Sequence, residues 1–123
     1  MYYGYRYEAD GRYHAADYIE SAQEIMGYLK AQKRKHPQVR ITNSDDHIIA
    51  ETKNGHIIFP EYVAVADMLD EVLEDPNYDP EKFVRELAGS NIIYEGYLPA
   101  DKEDAVYLLQ SLYSQYIRYY KEG

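Results

Sequence analysis

Apolar and polar positions change period several times along this chain, and each change marks a boundary. Residues 2–8 alternate, which predicts a strand with Tyr3, Tyr5 and Tyr7 on its inner face and Tyr2, Gly4 and Arg6 on the other. Asp10-Gly11 is the turn that ends it. Over residues 14–36 the period becomes helical. Tyr18, Ala22, Ile25, Met26 and Leu29 fall at i, i+4, i+7, i+8 and i+11, one apolar stripe. Early acids (Asp17, Glu20, Glu24), late bases (Lys30, Lys33, Arg34, Lys35) and Pro37 complete a helix signature.

The pattern then returns to alternation. Val39 and Ile41 predict a strand, residues 43–46 a turn, and two apolar runs flank Asn54-Gly55, the pairing that a type I′ hairpin turn demands. A two-residue turn sets Thr52 opposite Ile57 and Ala50 opposite Phe59. One face then carries Ile48, Ala50, Thr52, Ile57 and Phe59, and the other Ile49, Glu51, Lys53, His56 and Ile58. Pro60 opens a second helix with a stripe of Tyr62, Val65, Leu69, Val72 and Leu73. Asp79-Pro80 reads as an N-cap followed by a helix through Phe83, Val84 and Leu87. Residues 91–98 predict a last strand, with Tyr94 and Tyr97 as neighbours for the first. A final helix starts near Asp101, where Asp104 completes a variant capping box. The order β-α-β-β-β-α-α-β-α predicts a single α+β domain over residues 1–123, a mostly antiparallel sheet with helices packed on it.

Composition adds two features. The 123 residues include 16 Tyr against 2 Phe and no Trp, so most aromatic surface carries a hydroxyl that needs water or a partner. The net charge of −9 is regional: residues 1–60 hold eight acids and eight Lys or Arg, whereas residues 61–86 hold nine acids against Lys82 and Arg85. No apolar run is long enough for a membrane span and tyrosines follow Met1 where a leader would be basic, so a cytoplasmic protein is the simplest expectation. With no cysteine, disulfides and thiolate chemistry are excluded.

The acidic region is the leading candidate site. Asp67, Asp70, Glu71 and Glu74 fall at i, i+3, i+4 and i+7, a stripe extended by Asp75 and Asp79. Such like charges repel by a few tenths of a kcal/mol per pair and oppose the dipole at a helix end. A basic protein surface is the partner that would use them, with Tyr78, Tyr116, Tyr119 and Tyr120 as anchors. Residues 75–86 have acids at calcium-loop spacing, but Pro80 stands where that loop needs Gly, so capping explains them better. Glu51-Thr52-Lys53 resembles the (D/E)-x-K element of PD-(D/E)-x-K nucleases, yet Asp45 and Asp46 lie too far along an extended strand to share a cation with Glu51. The four histidines give no joint metal site, and no cofactor motif occurs. Lys30, Lys33, Arg34, Lys35, His36 and Arg40 form a basic cluster at the end of the expected helix, although the total charge opposes nucleic acid. The last helix is apolar on more faces than one core stripe requires, which fits packing on a partner, on a second copy of the chain or on the tyrosine strand, and fits ordinary core packing as well.

These readings lead to the expectation of a small non-enzymatic binding protein, of the inhibitor or immunity type, acting on a basic target. Toxin-neutralising immunity proteins and phage-encoded counter-defence inhibitors share the profile only as an analogy of class. The alternative is a nucleic-acid-handling or nuclease-like domain using Glu51 and Lys53 or the Lys30 to Arg40 patch.

Overall fold

A computed structural model describes residues 1–92 and 99–122, with side chains through residue 119. The expected strand over 91–98 therefore lies largely outside the described residues. The fold is α+β, and the chain divides into two compact units, Met1–Pro60 and Glu61–Gly123.

The first unit is a five-stranded antiparallel sheet in the order β2-β1-β3-β4-β5, formed by β1 (Tyr2–Tyr7), β2 (Asp17–Ile19), β3 (Gln38–Asn43), β4 (Ile48–Lys53) and β5 (His56–Phe59). Helix α1 (Ile25–Gln32) packs Ile25 and Leu29 against Ile19, Val39, Ile41 and Ala50. The long helix expected over residues 14–36 is overturned. Its first part is β2 followed by one 3₁₀ turn at Ala22–Glu24, and Tyr18 and Ala22 of the supposed stripe are exposed. Periodicity was ambiguous here, because Tyr18-Ile19 fits an out-in strand as well as a helix. Pairing of Asp17–Ile19 with Tyr2–Gly4, which buries Ile19, decides between them.

The faces of β1 are also the reverse of the expectation. Gly4 is the buried position, covered by the Tyr28 ring of α1, and Tyr2 packs on the same core. Tyr3, Tyr5 and Tyr7 point to the opposite face. Alternation identifies which residues share a face but not which face a helix covers.

The Asn54-Gly55 hairpin forms as expected: φ is 53° and 85° at the two turn residues, and Lys53 pairs with His56 and Thr52 with Ile57. Two bulges then change the register. Ile58 is the extra residue of β5, so Phe59 faces Glu51 instead of Ala50 and is 38% exposed. Ile49 is the extra residue of β4, which leaves Ile48 exposed and brings Ile49 onto the core beside Ala50. At the β3–β4 turn Asn43 Oδ1 accepts the amides of Asp45 and His47, both at 3.0 Å, while Asp46 takes φ 65°.

The second unit holds α2 (Glu61–Glu74), α3 (Pro80–Gly89) and α4 (Lys102–Glu122), with α2 and α4 packed on each other. The buried side of α2 is Ala64, Val65, Met68 and Val72; Leu73, assigned to the stripe from sequence, is 53% exposed. Asp79 Oδ1 accepts the Glu81 amide at 3.1 Å and Pro80 is the first residue of α3, as its sequence requires. Asp101 Oδ1 accepts the Asp104 amide at 2.8 Å at the start of α4. Ala105, Leu109 and Leu112 make a single buried stripe, which leaves Tyr107 69% and Tyr119 71% exposed.

Candidate functional site

The acidic stripe does not form one uniform surface. Asp70, Glu74 and Asp79 are exposed, Glu71 and Asp75 are half-buried, and Asp67 is only 7% exposed. Asp67 and Glu71 are both engaged within the protein. Asp75 Oδ1 accepts the Asn77 amide at 2.8 Å, so Asp75 and Asp79 shape the connection from α2 to α3. That leaves Asp70, Glu74 and the neighbouring Glu81 as exposed carboxylates with no ion pair among the described residues.

The fold itself compensates the unfavourable end of α2. The Lys102 ammonium donates to the carbonyls of Leu73, at 3.2 Å, and Asp75, at 2.6 Å. A cation therefore sits where α2, with no basic residue in its last turn, presents unpaired carbonyls. Sequence spacing could not show this, because Lys102 is distant along the chain.

The tyrosine anchors are placed unequally. The Tyr78 hydroxyl donates to the Pro99 carbonyl at 3.1 Å and its ring meets Phe83 at 5.8 Å. Burial, followed by the nearby carboxylates of Asp101, Asp104 and Asp79, pushes its phenol above the ordinary value. Tyr116 is half-buried and Tyr119 exposed; the side chain of Tyr120 lies outside the described residues.

In the first unit the chemistry-bearing groups neutralise one another. Glu51 Oε2 receives Arg40 Nε at 3.0 Å and Glu51 Oε1 receives Gln38 Nε2 at 2.9 Å, while the Arg40 guanidinium lies 5.5 Å over the Tyr7 ring. The Glu51 hydrogen bond, partly countered by burial, holds the Arg40 guanidinium above its usual range. Both oxygens of the carboxylate that the nuclease-like reading requires are thus occupied by neighbours, and Asp45 and Asp46 lie in the turn before β4. Across the buried face, Tyr28 donates to Asp17 Oδ2 at 2.7 Å. Arg6 Nε lies 2.9 Å from the same oxygen, close enough for an ion pair but at an angle that makes no hydrogen bond.

Two arrangements escaped the sequence reading. Tyr3 meets Tyr18 edge-on at 5.2 Å, and Tyr13 meets Tyr5 at 5.1 Å and Tyr7 at 5.4 Å, a run of ring contacts on the face away from α1. The hydroxyl of Tyr18 pushes the Tyr3 phenol above its ordinary value. His14 Nε2 and His36 Nδ1, which the expected long helix would hold at opposite ends, both lie 3.1 Å from Glu8 Oε1. The alternating tyrosines signalled the first arrangement; the second depends on the β1–β2 connection returning alongside β1. Among the described residues no group of three His, Asp or Glu is placed to hold a metal ion, and no helix is long and apolar enough to cross a membrane. Comparison with protein-family models, with curated proteins and with solved structures found no match to this chain.

Proposed function

We propose that this chain is a non-enzymatic protein-binding module that engages a basic protein surface, in the manner of an inhibitor or immunity-type protein. The observation that carries the reading is the set of exposed carboxylates Asp70, Glu74 and Glu81 in a segment with nine acids and two bases. The fold does not use them: Lys102 already completes the end of α2, and Asp79 already caps α3. The field of these carboxylates would raise the encounter rate with a basic partner, and aromatic surface such as Tyr119 would supply contact area.

The test is capture of a partner on the immobilised protein at low and high salt, with identification by mass spectrometry and direct measurement of affinity for the purified partner. A basic protein should bind with an association rate that falls steeply as salt rises. The triple variant Asp70→Lys, Glu74→Lys, Glu81→Lys should weaken it by at least about tenfold while keeping its helical spectrum. A partner bound equally well by the triple variant would refute the assignment of this surface.

A further inference from the structure

The cations that close α1 play no part in the proposed function, and they stand around a depression. Lys33, Arg34, Lys35, His36 and Pro37 line one side and the Asn54-Gly55 turn the other side of an open surface recess of ≈ 420 Å³. That is within the size range of small-molecule sites. The fold holds the two walls together: the Asn54 amide donates to the Pro37 carbonyl at 2.8 Å. Gly55, at φ 85°, presents no side chain, where even a Cβ would come to 3.9 Å from the Lys33 carbonyl.

The recess offers charge more than backbone donors. The Lys35 and His36 amides both donate to the Gln32 carbonyl, so neither is available to a ligand. Arg34 and Lys35 are exposed, and neither forms an ion pair among the described residues. They differ in this from Arg6 and Arg40, each of which pairs with a carboxylate. The helix dipole accounts for cations at this end of α1 but not for the concavity they line.

We propose that this recess binds a small phosphate-bearing molecule, with the Arg34 guanidinium pairing two phosphate oxygens and Lys35 acting as a point charge. His36, which shares Glu8 with His14, forms part of the wall. A long nucleic acid would meet the repulsion of a chain carrying −9, whereas a small phosphoanion meets only the local patch, in a unit whose formal charge is zero.

The experiment is a titration of the full chain with inorganic phosphate and, separately, with adenosine monophosphate, followed by amide NMR shifts at low salt. Saturable shifts should centre on Arg34, Lys35 and Gly55. Equal affinity for both probes assigns the site to the phosphoryl group alone, and tighter binding of the nucleotide shows that the rest of the recess contributes; either result supports the proposal. Arg34→Gln with Lys35→Gln should weaken binding about tenfold or more, because two charge-assisted contacts are lost. Lys82→Gln with Arg85→Gln, the same change of charge on α3, should leave it unaltered. Shifts that rise linearly without saturation, or equal weakening by the two double variants, would overturn the proposal.

Discussion

At the scale of single residues, Gly4 of β1 is packed directly against the Tyr28 ring of α1. An added Cβ at position 4 would lie 2.5 Å from Tyr28 Cζ and 2.7 Å from its hydroxyl. Alanine in a strand interior ordinarily gains on glycine by roughly 0.5–1 kcal/mol. Here the clash reverses that sign, and Gly4→Ala should destabilise by about 1–3 kcal/mol in denaturant unfolding. In a Tyr28→Ala background the penalty should largely vanish; an equal penalty in both backgrounds would show that the ring is not its cause. Tyr28 also makes stability depend on pH at the alkaline end. Burial, reinforced by Asp17, raises its folded-state phenol above the ordinary value near 10. The neutral form is thus favoured by folding, so this contribution is complete below about pH 10 and is lost as pH rises through the folded value. The higher phenols of Tyr3 and Tyr78 act in the same direction. Unfolding free energies measured from about pH 8 to about pH 11 should fall, and fall less steeply in Tyr28→Phe.

Among the elements, α2 shows how a helix tolerates an unfavourable sequence. Its C-terminal turn carries Glu71 and Glu74, with no base to complement the dipole. Lys102, the first residue of α4, reaches its last carbonyls. Lys102→Met keeps most of the apolar stem and removes the charge, and should cost about 1 kcal/mol, read as a fall of a few degrees in melting midpoint. An unchanged midpoint would mean that water serves these carbonyls as well as the ammonium does. The same scale explains which elements were legible in the sequence. Strand β1, the β4–β5 hairpin and helices α2, α3 and α4 follow their local signals, because each is framed by a turn or cap whose chemistry acts within a few residues. The stretch over residues 14–36 failed because it has a helical period in its apolar residues without a cap at its start. Ser21 precedes the 3₁₀ turn with no side-chain capping bond, and α1 itself begins only at Ile25.

For the whole molecule, charge is the dominant property. The concentration of acids in residues 61–86 means that self-repulsion opposes the folded second unit at low ionic strength. Raising salt from about 20 mM to about 200 mM shortens the screening length several-fold and should raise the melting midpoint by a few degrees, a gain of about 1 kcal/mol. A falling midpoint would show instead that attractive pairs such as Arg40–Glu51 and Arg6–Asp17 outweigh the repulsion. The candidate site was legible only in part. Sequence spacing located the acidic stripe, but it treated Asp67 as equivalent to Asp70, whereas one is buried and the other exposed. It located the basic cluster as a helix end but not the recess, whose second wall is a hairpin turn about twenty residues farther along.

At its turns and helix caps the backbone follows from the amino-acid order alone. Asp10-Gly11, Asn54-Gly55, Asp79-Pro80 and Asp101 with Asp104 act through φ preferences and capping bonds that span a few residues, and Gly11, Gly55, Asn54 and the two caps adopt the conformations those signals require. Long-range packing and pairing set which face of β1 is covered, where β4 and β5 bulge, that Asp17–Ile19 is a strand, and that Asp67 is buried. Each of these depends on a neighbour distant in the chain, or on burial by the fold as a whole, and periodicity constrains only residues that are close in sequence.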